Sequence, residues 1–242
     1  MTTDERVENS DAAERVSPLT RILPELALLT VVLLWASTFV ITKDAFERIS
    51  PLAFAFIRFL LIMVLAFGVL AARGRGAKRA HFWRLDRADL GRFALAGVFG
   101  YTCYQLGFVL GLARTSPFSS SLLIAMVPLF TLLIVTVLGD WPPVHAWIGL
   151  TLAIAGVVLF LADREGGGGW LGNLLSLGAA VSFAAYGVVN RPLVARYPAE
   201  TVSAYTTLAG SIPLLLVSLP AAREQDWAAL GVGTWLVIVY MV

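Results

Sequence analysis

The stretch PLAFAFIRFLLIMVLAFGVLAA, residues 51–72, is apolar from end to end except for Arg58. About 20 apolar residues in a helix cross a hydrocarbon core of roughly 30 Å, so the segment reads as a membrane span, and the arginine in it demands a reason. The whole chain has the same character: of 242 residues, 58% are hydrophobic and 14% charged, against about 25% charged in ordinary soluble domains. Further apolar runs at 24–43, 91–112, 117–138, 146–162, 170–189 and 200–220 give seven complete spans, and an eighth begins near 231 and is cut off at Val242. A helix satisfies its own backbone N–H and C=O groups in lipid, and these runs lack the alternation of barrel strands. The expected fold class is an all-α polytopic membrane protein.

Residues 1–21 are polar and mixed in charge, without the basic start and apolar stretch of a signal peptide. They are expected to form a disordered cytoplasmic tail, with the first span as the membrane signal. Loop charge sets the direction. With the N-terminus inside, Arg6, Arg15, Arg21, Arg73, Arg75, Lys78, Arg79, Arg84, Arg87, Arg92, Arg191 and Arg196 are cytoplasmic, and only Lys43, Arg48, Arg114, Arg164 and Arg223 are outside. The densest run, RGRGAKRAHFWRLDR at 73–87, reads as a topology determinant at an anionic leaflet rather than a lipid or nucleic-acid site. A net charge of +2 is too small to argue for nucleic acid. The expected location is the cell (inner or plasma) membrane. The single cysteine, Cys103, lies in an apolar run, reads as a small packing residue and permits no intrachain disulfide. The sequence stops within WLVIVYMV, 235–242, too soon for a span, which suggests a truncated chain or a piece of a longer protein.

Shifting the sequence by 147 residues sets Pro51 on Pro198, Lys43 on Asn190 and Arg58 on Tyr205, with an apolar span on each side of the proline in both copies. The offset is five spans, an odd number, so the second copy must lie upside down in the membrane. Inverted repeats of this kind are a common transporter design, with the substrate site at the repeat interface near midplane.

Several segments in order carry a family resemblance: LLWASTFVITKDAF, PLAFAFIRFLL, YQLGFVLGLARTSPFSSSLLIAMVPLFTLLIVTVLGD, WIGLTLAIAGVVLF and GNLLSLGAAVSFAAYGVVNRPL. Together they resemble the EamA-type branch of the drug/metabolite transporter superfamily, over about residues 24 to 242. The resemblance implies ten helices in two inverted five-helix repeats, both termini cytoplasmic, and export or exchange of small organic metabolites such as amino acids. It divides the chain into a first repeat at 22–164 and a partial second repeat at 165–242. Two departures stand out: the fourth helix ends in LGD, with Asp140 where the family often has glutamate, and the last part of the second repeat is absent from this sequence.

A charge at the centre of a span costs about 2.5–3.5 kcal/mol on insertion scales. Arg58 lies seven residues after Pro51, about 10 Å from the outer end. It could snorkel outward at modest cost, since helical side chains lean toward the N-terminus. Alternatively it faces the bundle interior and holds a substrate carboxylate or phosphate through the bidentate geometry that lysine lacks. The second reading is favoured by Trp35, Thr38 and Thr42 at i, i+3 and i+7 on the first span, at similar depth. Tyr101, Tyr104 and Gln105 can share a helix face suited to a solute with a flat or apolar part, or can serve interhelical bonding. In the second repeat Ser182, Tyr186 and Tyr205 complete the candidate cavity wall. Gly100, Gly107 and Gly111 favour close helix packing, and Pro128 is expected to kink the fourth span.

No Asp or Glu lies deep in a complete span, so a carboxylate that exchanges a proton for a cationic drug is not expected. Zwitterionic, anionic or neutral small-molecule substrates fit better. No catalytic, metal or cofactor constellation is legible: His81 and His145 fall in separate loops, and 200–220 holds no lysine for a Schiff base. The sequence therefore points to a transporter working by alternating access, not an enzyme. The runner-up is a non-transporting fragment or scaffold, and the oligomeric state is open.

Overall fold

The computed structural model describes residues 18–74, 83–162 and 169–242. The expected tail up to residue 17 and most of the basic run at 75–82 lie outside these residues. By its contacts the chain divides into two units, Met1–Thr38 and Phe39–Val242. Among the described residues eight helices carry the fold. They are α1 (Pro18–Ala45), α2 (Pro51–Arg73), α3 (Arg87–Arg114), α4 (Pro117–Val137), α5 (Val144–Ala162), α6 (Trp170–Val194), α7 (Ala199–Glu224) and α8 (Val232–Tyr240). Residues 18–21, read as tail, are thus already helical. Among the described residues six helices are long and apolar enough to cross a membrane, and the fifth expected span contributes a shorter apolar stretch, Val144–Leu159. The chain is an all-α polytopic membrane protein.

Local sequence explains the helix ends. Ser50 caps α2 by accepting the Ala53 N–H at 3.3 Å, with Pro51 at the first helical position, where its missing N–H costs nothing. Ser116 and Pro117 repeat this at α4. That helix then breaks at Ala125–Met126, between Pro117–Ile124 and Val127–Val137, because Pro128 has no N–H to return to the Ile124 carbonyl. Pro192, by contrast, falls near the end of α6, which continues to Val194, past the expected limit at 189. There a single backbone bond, to the Val188 carbonyl, is lost within the last two turns.

Along Ile22–Ala36, α1 is exposed throughout. Large apolar side chains on α2, α5 and α7 also face outward, among them Val64, Leu159 and Leu216. In a hydrocarbon solvent this is the expected outer surface rather than a patch awaiting a partner.

Within the unit Phe39–Val242, α2 and α7 pack along one another. They run antiparallel: the Ser50 N–H at the start of α2 donates to Gln225 Oε1 at the end of α7 (3.1 Å), and Arg73 at the end of α2 meets Glu200 at the start of α7 (3.3 Å). The α3–α6 pair is also antiparallel and still closer. A Cβ on Gly111 would lie 2.6 Å from Ser176 Oγ, one on Gly107 2.8 Å from the Leu175 carbonyl, and one on Gly100 2.5 Å from the Tyr186 ring. Glycine is what lets these backbones meet, as in other membrane helix pairs. Ser120 and Ser176 (3.0 Å) and Thr115 and Asn173 (2.7 Å) join α6 to α4 and to the α3–α4 turn.

Where α3 crosses α7 the contact is backbone on backbone: a Cβ on Gly210 would overlap the Gly97 carbonyl, and one on Gly97 would lie 2.6 Å from both the Gly210 N and the Thr206 O. Thr102 donates to the Gly210 carbonyl at 2.6 Å. Gly210→Ala is therefore expected to destabilise the protein by about 1–3 kcal/mol, the usual cost of overpacking. Gly187→Ala, whose Cβ meets nothing within 4 Å, is expected to leave the thermal midpoint in detergent unchanged or raised.

Candidate functional site

Arg58 points into the bundle. Its Nε donates to the Met241 carbonyl at 2.8 Å, just past the end of α8, and its Nη1 to Gln105 Oε1 on α3 at 3.3 Å. The guanidinium carbon also lies 5.4 Å from the Phe59 ring centroid, within cation–π reach. Gln105 is nine residues before the end of α3, and Met241 nine residues past the start of α8. At ~1.5 Å per residue each partner is about 14 Å from its helix end, roughly half the thickness of a hydrocarbon core. Arg58 thus reaches partners well inside α3 and α8 rather than at the ends where those helices begin or finish.

The amide that holds it is 1% exposed, and while Gln105 Oε1 accepts from Arg58, its Nε2 has no hydrogen-bond partner. A buried amide donor left unpaired costs free energy that a ligand or water acceptor would recover. Thr42 on α1 is fully buried beside this group, with its hydroxyl 3.7 Å from Met241 Sδ. The site therefore pairs a cation with an idle N–H donor, a combination suited to a carboxylate or another oxyanion.

Aromatic rings pack beside it in a continuous file. Phe59 meets Tyr101 edge-on at 6.1 Å, Tyr101 meets Tyr186 at 5.9 Å, and Tyr186 meets Phe183 at 5.7 Å. Phe183 touches Tyr104 at 4.9 Å, and Tyr104 stacks on Phe108 at 6.1 Å. Gly100 makes room for Tyr186, as a side chain there would strike the ring. The residues Val98–Cys103 form a π-helical segment, which shifts the register of α3 between its two α segments. Tyr101, Tyr104 and Gln105 consequently do not form one flat wall: Gln105 turns to α2, Tyr104 to α6, and Tyr101 bridges both. Tyr101 also lines a cavity of about 470 Å³ between α2 and α7, beside Ser203, Thr207 and Glu200.

Tyr205 donates to the Trp83 carbonyl (3.3 Å) and packs on Phe67 and Phe93, apart from the partners of Arg58. Ser182 is half-buried on α6. Trp35 is 50% exposed, and Thr38 spends its hydroxyl on the Trp35 carbonyl (2.6 Å). These two belong to the unit that ends at Thr38.

Some residues escaped the sequence reading. Lys43 Nζ donates to the Leu112 and Ala113 carbonyls (2.8 and 2.9 Å), closing the end of α3. Asp89, 2% exposed, collects Arg92, Arg196 and Tyr197. Asn190 Nδ2 donates to the Tyr186 hydroxyl at 3.2 Å. Only Asp89 left a trace in the sequence, its i,i+3 spacing to Arg92. Among the described residues no group of three or more His, Cys, Asp or Glu is placed to hold a metal.

A helical membrane bundle with small residues at its crossings and a cation, an unpaired amide and an aromatic file inside defines a multi-pass protein with a polar interior. The EamA-like transporter family model matches residues 22–162, and the chain belongs to that family. Among similar proteins are an uncharacterized transporter of Archaeoglobus fulgidus (26% identity over 78% of this chain and 65% of that protein) and the uncharacterized transporter YyaM of Bacillus subtilis (25%, over 85% and 68%). A probable terminal-alkyne amino-acid exporter of Streptantibioticus cattleyicolor is 29% identical over 81% of this chain and 63% of its own length. The chain thus spans about two thirds of the length of these relatives. One crystal structure shares the fold, with a TM-score of 0.60 at 23% identity over 88% of this chain and 71% of that one.

Lys43→Met is expected to lower stability by up to about 2 kcal/mol, the upper range for a cation at a helix C-terminus. Thermal unfolding in detergent checks this, and Lys43→Arg should retain most of the stability.

Proposed function

We propose that the protein moves a small organic metabolite across the membrane by alternating access, in the direction of export, with the N-terminus cytoplasmic. The observation that carries this reading is Arg58: a guanidinium within a span, held by Gln105 while the Gln105 Nε2 is buried and unpartnered. A cation and an idle donor inside the bundle favour a solute carboxylate, and the aromatic file from Phe59 to Phe108 favours an apolar or flat remainder. Amino acids and their derivatives have that chemistry, and the amino-acid exporter of Streptantibioticus cattleyicolor supports the class.

Inverted repeats fit the same reading. α2 begins at Pro51 and α7 directly after the aligned Pro198, and the two pack antiparallel, as two copies of one unit related by an axis in the membrane plane would. Residues 22–164 then form the first repeat and 165–242 part of the second. Within the unit Phe39–Val242, Tyr101, Tyr104 and Tyr186 are the further wall candidates, and no catalytic group is assigned.

The test is reconstitution into liposomes and screening of labelled amino acids, nucleobases and sugars for saturable flux. Arg58→Ala and Arg58→Lys are then compared. Bidentate recognition predicts that Lys loses at least tenfold in affinity and Ala more, since a charge-assisted bond contributes roughly 1.5–3 kcal/mol. Full transport by Arg58→Lys would remove Arg58 from the solute site, and no flux with any solute would undermine the transporter reading.

A further inference from the structure

Asp89 is the most enclosed carboxylate among the described residues, and its partners come from two parts of the chain. Arg196 Nη1 donates to both of its oxygens (3.2 and 3.1 Å), Arg92 Nη1 to Oδ1 (3.3 Å), and the Tyr197 hydroxyl to Oδ2 (3.0 Å). The Tyr197 hydroxyl in turn accepts the Asp86 N–H at 3.1 Å. The start of α3 is thereby tied to the turn between α6 and α7. One further link joins the residues before α3 to α7, Tyr205 to the Trp83 carbonyl, and beside it Arg73 at the end of α2 pairs with Glu200. Below them Phe93 packs edge-on against Tyr197 (5.4 Å) and Tyr205 (6.1 Å), over the fully buried Ala96.

The rest of α3 is arranged around this tie. Two turns on is Gly97, where α3 touches the α7 backbone at Gly210, and the tightness of that contact fixes a crossing point. Next comes the π-helical segment Val98–Cys103, of the kind that often interrupts helices at functional sites. Gln105 and its bond to Arg58 follow directly. One helix therefore carries, in order, an ionic tie, a pivot, a weakened turn and the candidate solute site.

We infer that Asp89 is a gating residue: its bonds to Arg196 and Tyr197 latch the end of α3 against the α6–α7 turn, and releasing them lets this end swing about the Gly97–Gly210 crossing, with the π segment absorbing the bend. Packing interfaces are bistable rather than continuously deformable, and a carboxylate holding several directional bonds makes such a change two-state. The inference rests on the transporter reading for its purpose, but its readout needs no solute, so the two can fail separately.

The test uses the full chain with Cys103→Ser and Val202→Cys, a buried α7 position in the cluster with Phe93, in membranes, labelled by a membrane-impermeant maleimide from the side that carries residue 89. The latch predicts slow labelling in this parent. Asp89→Asn and Arg196→Gln should label about tenfold faster, since losing one charge-assisted bond shifts an opening equilibrium by roughly that factor or more. Asp89→Glu should stay close to the parent, a rescue that bare packing loss would not give. Should Asp89→Asn fold poorly, Tyr197→Phe removes a single hydroxyl and is expected to label about threefold faster with an unchanged thermal midpoint. Equal rates in the parent, Arg196→Gln and Tyr197→Phe would overturn the inference.

Discussion

The constraint on which the rest depends is that a guanidinium placed inside a hydrocarbon layer must find oxygen. Arg58 finds it at Gln105 and at the Met241 carbonyl, so α3 and α8 must both come within reach of α2. For α3 to do so it must itself lie flat against α6 and α7, and the glycines at 97, 100, 107 and 111 make that possible. Without a hydrophobic force between helices in lipid, such close van der Waals contact and the hydroxyl bonds beside it are what hold the bundle together. The polar site and the small-residue crossings are thus two sides of one arrangement.

That arrangement leaves one group unpaid. Arg58 is held, but the second half of the Gln105 amide is not. Arg58 needs only the amide oxygen, and the buried Nε2 serves no partner in the fold. The amide is explained more simply by a transient acceptor than by packing, and this is the physical basis for treating the region as a solute site.

Much of the fold was legible in the sequence because lipid imposes one rule, a long apolar run, and the runs at 51–72, 117–138 and 170–189 obey it. Boundaries failed where that rule is silent. α6 runs through Asn190, Arg191 and Pro192, which hydropathy reads as a loop, and the π turn in α3 gives no hydropathy signal at all. The site was legible in part. Arg58 announces itself by being charged in an apolar run, and Tyr101, Tyr104 and Gln105 by helical spacing. Asp89 did not, because its partners Arg196 and Tyr197 are more than a hundred residues away, and nothing short of the tertiary fold brings them together. Phe183 and Phe59 look like ordinary lipid-facing rings until the packing of α3 turns them inward.

The most direct measurement of the central claim is a double-mutant cycle on folding stability in detergent with Arg58→Met, Gln105→Leu and the pair. If the guanidinium is held by the buried amide, the two positions couple by about 0.5–3 kcal/mol, the range for contacting residues. Additive effects within about 0.3 kcal/mol would mean that Arg58 does not engage Gln105, and would contradict the account.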